Sequence, residues 1–73
     1  MNARTLGLTP LQLKYLNFIK EYYGDHDYAP TQQEMADHFE CTVSNVSQKM
    51  RELKARNYID YEPGQARSII VKE

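Results

Sequence analysis

Over the first third of the chain the apolar positions fall at helical spacing. Leu11, Leu13, Tyr15, Leu16, Phe18, Ile19, Tyr22 and Tyr23 cover more than half of a helical wheel, and Lys14, Asn17, Lys20 and Glu21 form a narrow polar strip. A helix of that kind is packed from two sides. "LTPLQ" marks its start: Thr9 can cap, Pro10 suits the first helical position, Gln12 closes a capping box, and Leu8 can staple to Leu13. The predicted helix runs to about Tyr23, with Gly24 as its C-terminal cap and Pro30 punctuating the loop "GDHDYAP". "TQQE", Thr31 to Glu34, is a second capping box. It opens a helix of about two turns whose Met35, Ala36 and Phe39 face inward.

After Phe39 comes a tight connection, Glu40-Cys41, and Thr42 offers a third capping hydroxyl. In the helix that follows, Val46, Met50 and Leu53 recur at four and three residues and mark the buried stripe. Ser44, Asn45, Ser47, Gln48 and Arg51 lie outside it, as an exposed polar face. "YIDY" and "SIIVK" are predicted strands, rich in β-branched and aromatic residues and joined by "EPGQAR". Ile59 and Tyr61 on one strand, and Ile69 and Val71 on the other, share an inward face at period two. So small a hairpin must pack on the helices.

Charge is unevenly placed. From Glu21 to Glu40 there are six acids (Glu21, Asp25, Asp27, Glu34, Asp37, Glu40) and no lysine or arginine, whereas Lys49, Arg51, Lys54, Arg56, Arg67 and Lys72 all follow. The net charge of -1 hides a basic C-terminal part. Seventy-three residues allow one domain, 1–73, with residues 1–7 expected to be flexible. Its core should contribute a net stability of only roughly 3–5 kcal/mol. An elaborate enclosed active site is excluded on that scale. With no run of eighteen apolar residues, no signal-peptide pattern and a single cysteine, Cys41, the expectation is a cytoplasmic protein with no membrane association.

The order helix, short helix, tight turn, third helix and β-hairpin is that of a winged helix-turn-helix: mainly α, with three helices and a small β-hairpin. From Leu8 to about Val71 the sequence also resembles the N-terminal DNA-binding domain of LexA-type repressors. The likeness rests on "LT" opening the first helix, "APT" before "QQEMA", the turn into "TVSNVSQKMREL", "ARNYI" before the first strand, and a wing with Gly64 and Arg67. The turn departs from the common pattern in carrying Glu40 where glycine is usual. The chain ends at Glu73, so the self-cleaving, dimerising domain of LexA-type repressors is expected to be absent, and autoproteolysis with it. A phage or mobile-element protein, or an excised domain of a larger bacterial repressor, fits equally.

A helix about 10–12 Å across fits the major groove, where base edges expose donors and acceptors. Side chains near its N-terminus reach deepest. Val43, Ser44, Asn45, Ser47 and Gln48 are therefore the expected base readers: Asn45 or Gln48 can pair bidentately with adenine, the serines can donate or accept, and Val43 can meet a thymine methyl or cover the turn. The resemblance supports Ser44, Asn45, Ser47 and Gln48 in that role, with a different sequence read because the residue types differ. Thr42, Lys49, Arg51 and Lys54 are expected near the backbone, contributing salt-sensitive affinity. Gln65 and Arg67 in the wing are placed for a flanking minor groove or phosphate, with Arg67 balanced between that role and simple solvation.

The acids argue against tight binding by a monomer, since Glu34 and Asp37 lie on the helix that crosses the DNA backbone, although Glu34 also suits the positive end of its helix. A homodimer on a two-fold site, or an assisting partner, is expected to make up the affinity. The competing reading is an interaction module that uses acidic residues 21–40 to bind another protein, such as a repressor or polymerase subunit. No enzyme, metal or cofactor is expected. His38 and Cys41 are three apart with no further ligand in place, Ser44 and Ser47 have no histidine at useful spacing, and the six tyrosines are explained better by packing than by base stacking.

Overall fold

The computed structural model describes residues 7–72. Residues 1–6, which hold most of the segment expected to be flexible, lie outside the described residues. Helix α1 spans Pro10–His26, α2 Gln32–Phe39 and α3 Val43–Ala55; strands β1 (Ile59–Asp60) and β2 (Ile70–Val71) pair antiparallel, Ile59 opposite Val71 and Asp60 opposite Ile70. Three helices and a two-stranded hairpin define a winged helix-turn-helix.

All three helix starts form as the sequence predicts. In α1 the Gln12 amide donates to Thr9 Oγ1 (3.1 Å) while the Thr9 amide donates to Gln12 Oε1 (3.0 Å). Thr31 and Glu34 repeat this box at α2, and Thr42 Oγ1 accepts from the Asn45 amide at α3. Each cap satisfies N–H groups that the helix leaves unpaired.

The end of α1 differs from expectation. Gly24 does not stop it; the helix continues to His26, and Asp27 takes the left-handed conformation (φ 62°) with its amide bonded to the Tyr23 carbonyl. A short polar aspartate tolerates that region, and the rings of His26, Tyr22 and Tyr28 pack together over the extra turn. Leu11, expected inside, is 45% exposed, and Gln12 next to it is buried. Gln12 is drawn in because its Nε2 donates to Glu52 Oε1 on α3 at 2.8 Å, so one side chain caps α1 and ties it to α3.

The core is built from Leu16 and Ile19 of α1, Met35 and Ala36 of α2, Val46, Met50 and Leu53 of α3, and Tyr58, Ile59, Tyr61 and Ile69 of the hairpin. Each large apolar side chain taken from water here contributes about 1.5–3 kcal/mol before entropy is counted. Phe39 stacks on Tyr15 with ring centroids 4.1 Å apart, closing the core beneath the turn. Ile59, Tyr61 and Ile69 are buried and Ile70 is exposed as the alternation predicts, but Val71 is only half-buried, Tyr58 is buried beside Ile59, and the paired strands are two residues long rather than the four or five suggested by composition. The segment between them turns through Gly64 (φ 79°) and Arg67 (φ 57°) and is closed by Ser68, whose Oγ accepts from the Glu62 amide and donates to the Gln65 carbonyl.

Candidate nucleic-acid interface

Phe39 and Val43 are separated by three residues, Glu40, Cys41 and Thr42, and this turn fixes α2 against α3. Glu40 adopts the left-handed conformation (φ 54°, ψ 48°), its amide bonding back to Asp37, and the Cys41 amide bonds to the Ala36 carbonyl. A glutamate in that region is strained by roughly 1–2 kcal/mol relative to the ordinary helical conformation. Half-buried Cys41 fills the turn with its Sγ 3.3 Å from the Tyr15 hydroxyl, and burial first, then this contact, pushes that hydroxyl's pKa up to about 12. At the far end of α3, Asn57 (φ 65°) ends the helix through amide bonds from Asn57 to Lys54 and from Tyr58 to Leu53.

With Val46, Met50 and Leu53 buried, helical geometry points Ser44, Gln48 and Arg51 directly away from the core. All three are exposed, as are Asn45, Thr42 and Val43 near the helix start. Arg51 forms no ion pair or hydrogen bond among the described residues. The exposed polar face expected from the sequence is therefore continuous, with a free cation at its C-terminal end.

The other expected contacts are distributed differently. Lys49 is half-buried and ion-paired with Glu52 (3.4 Å). Glu52 also accepts from Gln12, and these bonds, Gln12 first, hold its carboxyl below the usual range. Lys54 reaches towards the hairpin, donating to the Tyr61 carbonyl (3.2 Å) and pairing with Asp60 (3.5 Å). Ser47 is half-buried and donates to Gln32 Oε1. Gln32, a residue the sequence pattern did not single out, is thereby tied to α3; its place in the first turn of α2, the helix expected to cross the DNA backbone, was the available clue.

Gln65 is exposed in the wing, but the guanidinium of Arg67 is turned onto α2. Its Nη1 and Nη2 pair with Glu34 Oε1 and Oε2 at 3.0 and 3.2 Å, and Nη1 also donates to the Ala29 carbonyl at 2.9 Å. A cleft of about 200 Å³ lies between the wing and the start of α2, bordered by Thr31, Gln32, Gln65 and Arg67. The Glu34 carboxyl is lowered to a pKa of about 2, first by the Thr31 amide and next by Arg67. Its charge is thus matched locally, which reduces the repulsion expected towards a DNA backbone at α2.

Among the described residues no three His, Cys, Asp or Glu side chains cluster as a metal site, and no helix is long and apolar enough to cross a membrane.

A capped helix presenting polar side chains beside a short helix and a β-hairpin wing belongs to the class of winged helix-turn-helix DNA-binding domains. The family model for the LexA DNA binding domain matches residues 5–68. The LexA repressor of Thermosipho melanesiensis is 36% identical over 62 residues, and that of Oleidesulfovibrio alaskensis 33% identical over 64, covering 85% and 88% of this chain. The LexA repressor of Geobacter metallireducens is 33% identical over 63 residues, covering 85%. In each case the match takes in 31% of the relative, so the chain is similar to about a third of those proteins. The chain belongs to the LexA DNA-binding domain family.

Proposed function

We propose that the chain binds duplex DNA sequence-specifically and represses transcription, reading the major groove with α3. The observation that carries this is the exposed face of Ser44, Asn45, Gln48 and Arg51, held outward by the buried Val46, Met50 and Leu53 behind it. Asn45 and Gln48 are the bidentate readers, suited to adenine N6 and N7. Ser44 approaches an adjacent base edge, and Val43, 39% exposed, meets a thymine methyl. Ser47 acts together with Gln32, whose carboxamide it orients. Thr42 and Arg51 meet phosphates, Lys49 and Lys54 add field strength at the margins, and Gln65 in the wing can hydrogen-bond to flanking DNA.

With Arg51 as the unpaired cation of the α3 face among the described residues, a monomer has modest affinity. A dimer on a two-fold site would supply the rest, as two half-sites one helical turn apart are engaged together. Repression is carried over from the relatives' names. The competing reading, a protein-binding acidic face over residues 21–40, is weakened because Glu34, one of the six acids of that stretch, is already held by Arg67.

The test is selection of bound duplexes from a randomised pool, followed by anisotropy titration of the enriched sequences at several salt concentrations. An enriched motif with affinity falling as salt rises supports the proposal. Absence of enrichment at low salt would overturn it in favour of the protein-binding reading.

A further inference from the structure

We infer that Glu34 and Arg67 form a latch that sets the angle of the wing against the start of α2, making Arg67 a positioning residue for DNA recognition rather than a DNA contact. This rests on the DNA-binding reading above for its consequence, though not for its structural content. The hairpin cannot hold itself: two residues per strand are too few for an independent ladder. What orients the wing must come from tertiary contacts, and within the loop of residues 62–68 the contact that reaches α2 is Arg67.

Its guanidinium has four partners. Two parallel N–H···O bonds go to Glu34, a third bond goes to the Ala29 carbonyl, the Tyr22 hydroxyl lies 3.4 Å from Nη1, and the Tyr28 ring lies beneath it with the guanidinium carbon 4.5 Å from the centroid. Glu34 is equally committed: the Thr31 amide donates to Oε1 at 2.8 Å and the Tyr22 hydroxyl to Oε2 at 3.1 Å. Planar, bidentate pairing of this kind fixes direction as well as distance, which a lysine cannot do. The wing's backbone conforms to it, since Arg67 itself sits at φ 57°. An isolated exposed ion pair adds little stability, so the role of this one is geometric: it holds the cleft between wing and α2 at one width before DNA arrives.

A latch and a phosphate contact make opposite demands on two conservative variants. Glu34→Gln keeps an acceptor for the capping box but puts an amide NH2 where Oε2 stands, which cannot accept from Arg67 and breaks the bidentate pair, while the Tyr22 hydroxyl can turn to accept from it. If Arg67 served as a phosphate ligand, its release would tighten binding and steepen the salt dependence, and Arg67→Lys would be tolerated. If it positions the wing, both variants weaken binding about fivefold, lose base preference at the flanks of the site, and leave preference at its centre and the salt slope unchanged. The experiment is anisotropy titration and flank-randomised selection on wild type, Glu34→Gln and Arg67→Lys, with amide hydrogen exchange of residues 62–68 measured on the same proteins without DNA. Faster exchange there in both variants supports the latch; unchanged exchange, or tighter DNA binding by Glu34→Gln, overturns it. Failure of the wild type to enrich any duplex would count against the DNA-binding reading alone, and the exchange measurement would still decide the latch.

Discussion

The helix-turn-helix and the loop of the wing are held by different balances of force. Helices α2 and α3 are anchored by apolar side chains with no exposed surface, including Met35, Val46, Met50 and Leu53. The hairpin seats Ile59, Tyr61 and Ile69 in the same core, and beyond them the wing is carried by one short strand pair and polar ties: Arg67 to Glu34 and Ala29, Lys54 to Asp60 and Tyr61, and the Tyr23 hydroxyl to the Ile69 carbonyl. Apolar burial fixes position without being sensitive to salt or pH, whereas ion pairs at the surface respond to both. The module proposed to read bases is therefore built rigidly, and the wing proposed to lie by flanking DNA can be adjusted by single charge changes.

Breaking the apolar half should have the largest effect. Leu53→Ala leaves a cavity beneath α3 and should cost about 2–5 kcal/mol, comparable to the whole stability of a domain this small. Urea denaturation should show a substantially unfolded protein at 25 °C; a loss below about 1 kcal/mol would mean that the wing and caps carry more of the stability than the core does.

Arg51→Ala acts on the exposed side of the same helix. Stability should stay within about 0.5 kcal/mol of wild type, while affinity for an enriched duplex falls several-fold and the salt slope decreases by about one. Titration at three or more salt concentrations reads both quantities. An unchanged slope would place Arg51 off the phosphate backbone.

Glu40→Gly tests the turn between α2 and α3. Glycine reaches the left-handed region without the Cβ strain, so a gain of about 1 kcal/mol is expected, reduced somewhat by the greater freedom of the unfolded chain. Removing a negative charge beside α3 should also tighten DNA binding at low salt. Thermal denaturation and titration of the variant check the two effects separately, and a lower melting temperature would show that the glutamate is stabilising the turn.

The smallest effect belongs to the polar half. The Glu34 carboxyl is lowered from its ordinary value of 4.5 to about 2 in the folded protein, so the stability it contributes is complete above about pH 4.5 and is lost as pH falls towards 2. Asp60, lowered by the Tyr61 amide and then by Lys54, acts in the same direction. Melting temperature should therefore decline below pH 4.5, and Glu34→Gln should flatten part of that decline by slightly lowering the value at pH 7 while converging with wild type at low pH. A pH profile parallel to that of wild type would detach the wing from Glu34.

The same division explains what could be foreseen from sequence. Periodic features were legible: the stripe of Val46, Met50 and Leu53, the capping residues Thr9, Thr31 and Thr42, and the alternation of Ile59, Asp60 and Tyr61 all follow from local repeat and local chemistry. So did the outward face of Ser44, Asn45 and Gln48, because it is the complement of the buried stripe. Contacts between residues far apart in the chain were not legible. Gln12 looks like a cap until Glu52, forty residues later, is brought beside it, and Arg67 looks solvated until the wing folds onto α2. The end of α1 escaped for a related reason, since Gly24 is a stronger local stop than Asp27 but the ring packing of Tyr22, His26 and Tyr28 adds a further turn.

The most direct measurement is a parallel selection of bound duplexes by wild type and by Asn45→Ala and Gln48→Ala variants, the change in base preference being scored position by position. If α3 reads the major groove as described, wild type enriches a defined motif, each variant loses preference at one or two adjacent positions, and the remaining positions and the salt slope are retained. Identical motifs from all three proteins, with only a uniform fall in affinity, would contradict the account and move recognition away from this helix face.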